Sequence, residues 1–381
     1  MRAEVVTDIE QLAALAPRWD ELAQCDSRDG FFRTSRWCLS WMRHIRPDAQ
    51  PFVVVVRNSS GDVVGLAPLC RVTYRDLGFR LQALSWAGRE VVSGDFLDFV
   101  VEPGCRSEAT SAILQFLWAV RSRWSLLIMG ELIDGADSER ALRCMNESIR
   151  LPVHRQEERI CPYIALPATF DEYLNTLSSS TRYNIRRRLR NVQKMSAHVD
   201  VYTTPREVTD RLDILIRLHL CRWQKQNLPG TLGRPGFAAF LKAVCADPPP
   251  GASCRLYLLS DEKSCPVAAL LTFCFGQSAL YYQAGWDPDS SWASQSPALV
   301  LMAHSIRDAI EDGFGYYEFL RGDESYKSHW TSTYRTATTF LFARSLMARE
   351  YLRMIRAKDL IKRLVSEMKS RVRGGVHRES N

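Results

Sequence analysis

Residues 316–330, YYEFLRGDESYKSHW, set three acids, an arginine, a lysine and several aromatic rings around one glycine. Asp323 and Glu324 can take up a proton, Arg321 and Lys327 can hold a carboxylate or phosphate, and the Tyr326 phenol can give a proton up. Trp330 follows Lys327 by three residues. A turn rich in Gly, Asp and Glu is also common surface structure, so these residue types permit proton transfer or anion binding without requiring either.

Two other stretches could hold an anion. In SSSTRYNIRRRLRNVQK, Ser179, Ser180 or Thr181 can cap a helix on which Arg182, Arg186 and Arg190 share one face, with Arg187 and Arg188 pointing elsewhere. Guanidinium groups so placed suit phosphate or carboxylate, although a solvated basic helix has the same composition. In YYQAGWDPDSSWASQSPALVLMAHSI a strand runs into a helix with Ser296 at its N-cap and Pro297 in first position. The open N–H groups around Ser294, Gln295, Ser296 and Ala298 could receive a pyrophosphate.

These residues must be positioned by regular elements. DIEQLAALAPRWDELAQC sets Leu12, Leu15, Trp19 and Leu22 on one helical face, and SRWCLSWMRHI gives a second helix capped by Thr34 or Ser35. FVVVV, the turn RNSSGD and VVGLAPLCRV form a hairpin; DFLDFVVEPG reads as a strand, 106–122 as a helix and WSLLIMGEL as a strand. The same order returns with helices over 205–226 and 236–246, the hairpin SCRLYLLSDEKSCPVAALLTFCF, the strand SALYYQAGWD, the helix PALVLMAHSIRDAIEDG and the strand YYEFLRG. A duplicated α/β unit follows, joined near residue 168, with a basic amphipathic helix over 346–373 and a terminus, GGVHRESN, expected to fray.

At 381 residues and 46% hydrophobic content the chain can bury about two domain cores. Its 11 cysteines lie singly, with no Cys-x-x-Cys pair and no neighbouring His at ligand spacing, which reads as reduced thiols and no metal site. The N-terminus lacks a signal-peptide pattern and no apolar run reaches membrane-spanning length, so a soluble cytoplasmic protein is expected. Of the net charge of +7, residues 182–194 carry +6 and residues 349–381 another +6, leaving an acidic remainder.

YEFLRGDESYKSHW, SSSTRYNIRRRLRNVQK and GWDPDSSWASQSPALVLMAHSIRDAIEDGFGYYEFLRG resemble the C-terminal unit of the GNAT-type acetyltransferases associated with bacterial cellulose and exopolysaccharide biosynthesis. FFRTSRWCLSWMRHI and PFVVVVRNSSGDVVGLAPL resemble that family's first half, so the resemblance spans about residues 5–345. It implies an α/β fold of two tandem GNAT-like domains, 1–168 and 169–345, each a mixed, mostly antiparallel sheet flanked by helices, with a basic helix and tail over 346–381. Tyr326-Lys327-x-x-Trp330 is also similar to the closing motif of the Fem-type aminoacyltransferases of peptidoglycan synthesis.

The activity so implied is N-acyl transfer from acetyl-CoA or another acyl-CoA to an amine on a small molecule, amino sugar or polysaccharide precursor. In that reading Asp323 or Glu324 is the base or amine anchor, and Tyr326 or Tyr282 protonates the leaving thiolate. Arg321, Lys327, Arg182 and Arg186 hold phosphate or carboxylate, Trp330 and Asp287 contact substrate, and Ser294, Gln295, Ser296 and Ala298 receive the donor's pyrophosphate. The family carries Arg/Gln-x-x-Gly-x-Gly/Ala at that last place, whereas WASQSPAL has no glycine. Two alternatives therefore stay open: transfer from aminoacyl-tRNA as in the Fem-type enzymes, with tRNA as partner of the basic elements, and a non-catalytic module for an anionic ligand.

Overall fold

The computed structural model describes residues 1–156 and 159–376; residues 377–381, most of GGVHRESN, lie outside the described residues. The first half runs β1 (Arg2–Val6), α1 (Ile9–Gln24), α2 (Ser35–His44), β2 (Gln50–Arg57), β3 (Val63–Asp76), β4 (Phe79–Trp86), β5 (Val100–Val101), α3 (Arg106–Ala119), β6 (Leu126–Ile133), α4 (Asp137–Ile149) and β7 (Val153–Arg155). β8 (Arg159–Ala165) leads to the second half, which runs α5 (Phe170–Thr176), α6 (Ser179–Lys194), β9 (His198–Tyr202), α7 (Pro205–Gln224), α8 (Phe237–Ala246), β10 (Ala252–Ser260), β11 (Pro266–Phe275), β12 (Ser278–Trp286), α9 (Pro297–Glu311), β13 (Tyr316–Glu318) and β14 (Tyr334–Ala343), and α10 (Leu346–Val376) follows.

Short polar side chains set many of these boundaries. Asp8, Thr34, Thr169 and Thr204 each accept from a first-turn N–H, and the last two close capping boxes with Glu172 and Glu207. Ser178 caps α6, one residue ahead of the three candidates. Ser296 stands at the N-cap of α9 with left-handed backbone (φ 55°), and its side chain makes no capping bond. DFLDFVVEPG is not a strand along its length: Val100 and Val101 alone pair, with β3, and residues 87–99 form a loop.

One hydrogen-bonded path joins β1-β2-β3-β4-β6-β14-β8-β13-β12-β11-β10-β9. In each half four antiparallel strands lead to a fifth in parallel, β1 to β4 then β6, and β9 to β12 then β13. A parallel step needs a crossover, which α3 and α9 supply. The halves are tandem copies of one mixed α/β unit.

They also exchange strands. β8, which precedes the second unit, pairs with β13, and β14, which follows it, pairs with β6 and β7, while β8 and β14 pair with each other. Strands thus pair across the boundary expected near residue 168 in both directions. An aromatic seam binds the halves further: Phe31 stacks on Phe273 at 4.5 Å, and the fully buried Trp37 sets its edge against Phe240 at 4.8 Å and Tyr282 at 5.8 Å. A buried ion cluster lies alongside, in which Glu318 meets Arg28 at 2.9 Å and Arg335 at 3.0 Å. A joint of this kind holds a cleft between the halves to one geometry.

Candidate active site

β12 and β13 pair over only three positions, Ser278 to Leu280 against Tyr316 to Glu318, and then separate. The expected strand YYEFLRG therefore ends as a strand at Glu318, and its remainder lines a wedge. A cleft of about 350 Å³ fills the opening. Tyr281 to Ala284 form one wall, Phe319 to Gly322 the other, α7 contributes His219, Arg222 and Trp223, and the loop of the first half contributes Ser93 and Asp95. Tyr282 is an extra residue in β12, since Leu271 faces Gln283 while Thr272 faces Tyr281. Such a bulge takes the local backbone out of the ladder and turns it toward the opening.

Asp95 reaches the cleft as the partner of Arg321. The Arg321 backbone N–H donates to Asp95 Oδ2 at 2.8 Å, and its guanidinium lies 3.2 Å from Asp95 Oδ1 and 2.5 Å from Glu131 Oε1. Oδ1 completes no hydrogen bond among the described residues. Burial raises the Asp95 carboxyl to about 6 in spite of Arg321, with Glu131 pushing the same way. The backbone around this group is strained: Ser93, Phe96, Glu131 and Leu320 hold φ of 53°, 54°, 61° and 59°. Each such non-glycine conformation costs about 1–3 kcal/mol and persists only where its surroundings impose it. Here the Tyr282 hydroxyl donates to Val92 O at 2.8 Å and the Trp37 indole N–H to Gly88 O at 3.1 Å, pinning the loop.

Lys327 fastens the opposite wall. Its buried ammonium donates to the carbonyls of Leu320 at 3.3 Å and Arg321 at 2.8 Å and pairs with Glu324 at 2.9 Å. Gly322 sits inside this clasp at φ 124°, where a Cβ would stand 2.3 Å from a Glu324 oxygen. Gly322→Ala is accordingly expected to cost about 1–2 kcal/mol, through backbone strain and displacement of Glu324 from Lys327. Denaturant unfolding measures this, and an unchanged midpoint would show that the turn has room to spare.

The remaining cleft groups differ in protonation. Burial raises the phenols of Tyr281 and Tyr326, whose rings meet at 6.4 Å, so both keep their protons. His219 is held neutral, burial lowering it to about 4. Its Nδ1 lies 3.2 Å from Ala284 O; a carbonyl can only accept, so Nδ1 carries the proton and Nε2, without a partner among the described residues, carries the lone pair. The Arg222 guanidinium lies over the Trp286 ring at 4.0 Å.

Of the residues singled out in the sequence, Arg321, Glu324, Tyr326, Lys327 and Tyr282 line the cleft. Asp323 is exposed and outside the lining. Trp330 lies in a second depression on the other side of the turn, where its carbonyl accepts from the Tyr173 hydroxyl at 2.9 Å. Asp287 accepts from the Asp289 N–H at 2.9 Å within a turn. Arg182 donates to Asn175 and Arg186 to Asp171, at 2.7 and 2.9 Å, both away from the cleft. Arg188, with Asn191, turns to the loop before α9, donating to Gln295 Oε1 at 2.6 and 2.9 Å. Ser294, Gln295, Ser296 and Ala298 lie at the entry to α9, outside the lining.

Sequence reasoning missed Asp95, Glu131, His219 and Arg222. The Ser93-Gly94-Asp95 run carries a turn signal that argues for a loop over a strand, but nothing local ties it to a residue 226 positions away. His219 and Arg222 lie inside an ordinary amphipathic helical pattern.

Two repeated units, each with a parallel fifth strand, and a wedge beside a bulged fourth strand define the fold and its cleft. The family model described as acetyltransferase (GNAT) domain matches residues 179–328, which run from the start of α6 through the turn that holds Lys327. The fold is similar to that in the crystal structure of FemX, with a TM-score of 0.60 and 12% identity over 90% of this chain and 98% of that chain. It is also similar to the C-terminal domain of a putative lysylphosphatidylglycerol synthetase from Agrobacterium fabrum, with a TM-score of 0.55 and 11% identity over 90% of this chain and 95% of that chain. A conserved protein of unknown function from Bacteroides thetaiotaomicron gives a TM-score of 0.58 at 11% identity, over 90% of this chain and all, 100%, of that one. These are likenesses of fold, and no curated protein sequence matches the chain. Among the described residues no helix is long and apolar enough to cross a membrane.

Proposed function

We propose that the chain is an N-acyltransferase whose second half moves an acyl group from an acyl-CoA thioester to an amine bound in the cleft. The observation that carries this reading is the wedge between β12 and β13, with a bulged backbone on one wall and the buried Asp95 carboxyl facing it. A thioester laid along β12 would meet backbone N–H groups at the Tyr282 bulge, which can receive the oxyanion that develops on its carbonyl. Asp95 Oδ1 takes the proton from the attacking nitrogen, and Tyr326 gives its proton to the departing thiolate. Solvent returns the proton from Asp95 to Tyr326, so the enzyme ends the cycle as it began. No covalent enzyme intermediate is required. Arg222 supplies a cation for an anionic group of the substrate.

The donor's phosphates fit the entry to α9 in a modified form. No glycine lies between Trp286 and Pro297, yet the Ser296 side chain makes no capping bond at the start of α9 and Arg188 stands beside it on Gln295. Calorimetric titration with acetyl-CoA and with a longer acyl-CoA tests this. Binding at about micromolar Kd is expected for one of them, weakened about tenfold in Arg188→Ala and unchanged in Arg186→Ala, which faces away. Absence of binding to either ester overturns the thioester reading.

A second reading rests on the exposed Arg186, Arg187, Arg190 and Lys194 of α6: the donor is an aminoacyl-tRNA. It requires RNA binding that weakens steeply with salt through this face. Arg186→Ala would then weaken binding and Arg188→Ala would not, the reverse of the first pattern. The amine remains a small molecule, amino sugar or polysaccharide precursor, an exopolysaccharide setting being one that supplies such acceptors.

A further inference from the structure

α10 extends past the body on which it packs. Ala348, Tyr351, Leu352 and Ile355 are buried, the Tyr351 hydroxyl donates to Asp76 at 2.9 Å, and His154 lies 3.1 Å from Asp359. Just beyond Asp359 four apolar residues face outward: Leu360, Ile361, Leu364 and Val365 are 58%, 61%, 50% and 44% exposed. One exposed leucine is ordinary, whereas four large apolar side chains within six residues of one helix form a patch that asks for a cover.

A second element adds to it. Leu77, at the tip of the β3–β4 hairpin, lines an apolar groove of about 550 Å³ together with Met354, Ala357, Lys358 and Ile361. Arg75 and Arg80 are exposed on either side of that tip. Over 346–376 the chain carries nine Lys/Arg against three Asp/Glu. Helix pairing between two copies uses flanking charges of both signs, and two such helices would set like charge against like. An anionic lipid surface satisfies both features at once, apolar side chains entering the acyl boundary and cations meeting the headgroups.

We propose that α10 and the tip of the β3–β4 hairpin form a docking surface for an anionic phospholipid bilayer, attaching the protein to the membrane face without crossing it. This inference is independent of the donor and acceptor assigned to the cleft. Flotation of the full chain with vesicles of phosphatidylcholine alone, and of phosphatidylcholine mixed with phosphatidylglycerol, tests it. Flotation is expected with the mixed vesicles only, falling about tenfold or more at high salt. The variant Leu360→Glu/Ile361→Glu/Leu364→Glu is expected to lose it to a similar extent while keeping the parent unfolding midpoint, because these side chains are exposed.

Absence of flotation with the mixed vesicles would overturn the proposal. So would flotation that the glutamates leave unchanged, which would assign binding to charge elsewhere, or a solution dimer that they dissociate without any vesicle binding, which would show that a second copy covers the face. RNA capture in place of vesicle binding would overturn it equally.

Discussion

Asp95→Asn is expected to lower kcat for acyl transfer by about 10²–10⁴-fold while leaving donor affinity unchanged. Asparagine keeps the shape and can still accept from the Arg321 N–H, but it cannot take a proton at Oδ1. The pH profile gives an independent check. A base must be unprotonated to act, so with a carboxyl raised to about 6 the parent kcat/KM should fall tenfold per pH unit below about 6. That limb should be absent from the residual activity of the variant. Should the limb persist, or the loss stay under about tenfold, Asp95 would not be the base. The same shift has a cost in stability. A folded carboxyl near 6 holds its proton more tightly than an unfolded one near 3.8, so stability through this group rises as pH falls from above 6 toward 3.8.

Arg321→Ala is expected to destabilise the chain by about 3–5 kcal/mol at neutral pH, since it leaves Asp95 and Glu131 as buried carboxylates without their shared cation. The deficit should shrink when unfolding by urea is repeated at mildly acidic pH. Removing the guanidinium takes away the force that opposes protonation of Asp95, so its carboxyl neutralises at still higher pH and the unpaired charge is relieved. An equal deficit at both pH values would mean that the loss comes from packing of the arginine stem and not from charge. Activity should fall with stability, because Arg321 joins the second half to the loop that carries Asp95.

The amino-acid sequence by itself determined many of the elements and the order in which they repeat. Period-two and helical apolar patterns, Thr169 and Thr204 before helices and Pro297 in a first turn are local signals, and local backbone sterics and hydrogen bonding carry them out. The FLRGDESYK block likewise marked one wall of the cleft, because Arg321, Glu324, Tyr326 and Lys327 are neighbours in the chain as well as in space. On α6 the spacing of Arg182, Arg186 and Arg190 gave one face correctly, but the side turned inward is set by the buried Ile185 and Val192, which carry Arg188 with them toward α9.

Only the tertiary structure decided that β8 and β14 change places between the units, and that a loop of the first half supplies Asp95 to the second. Periodicity reports which face of an element is apolar but not which partner covers it, and strand pairing across the joint is a choice among distant alternatives. The raised carboxyl is of the same kind. An aspartate acquires that property from burial beside Glu131 and Arg321, residues far from it in the chain, so it exists only once the two halves have closed upon each other.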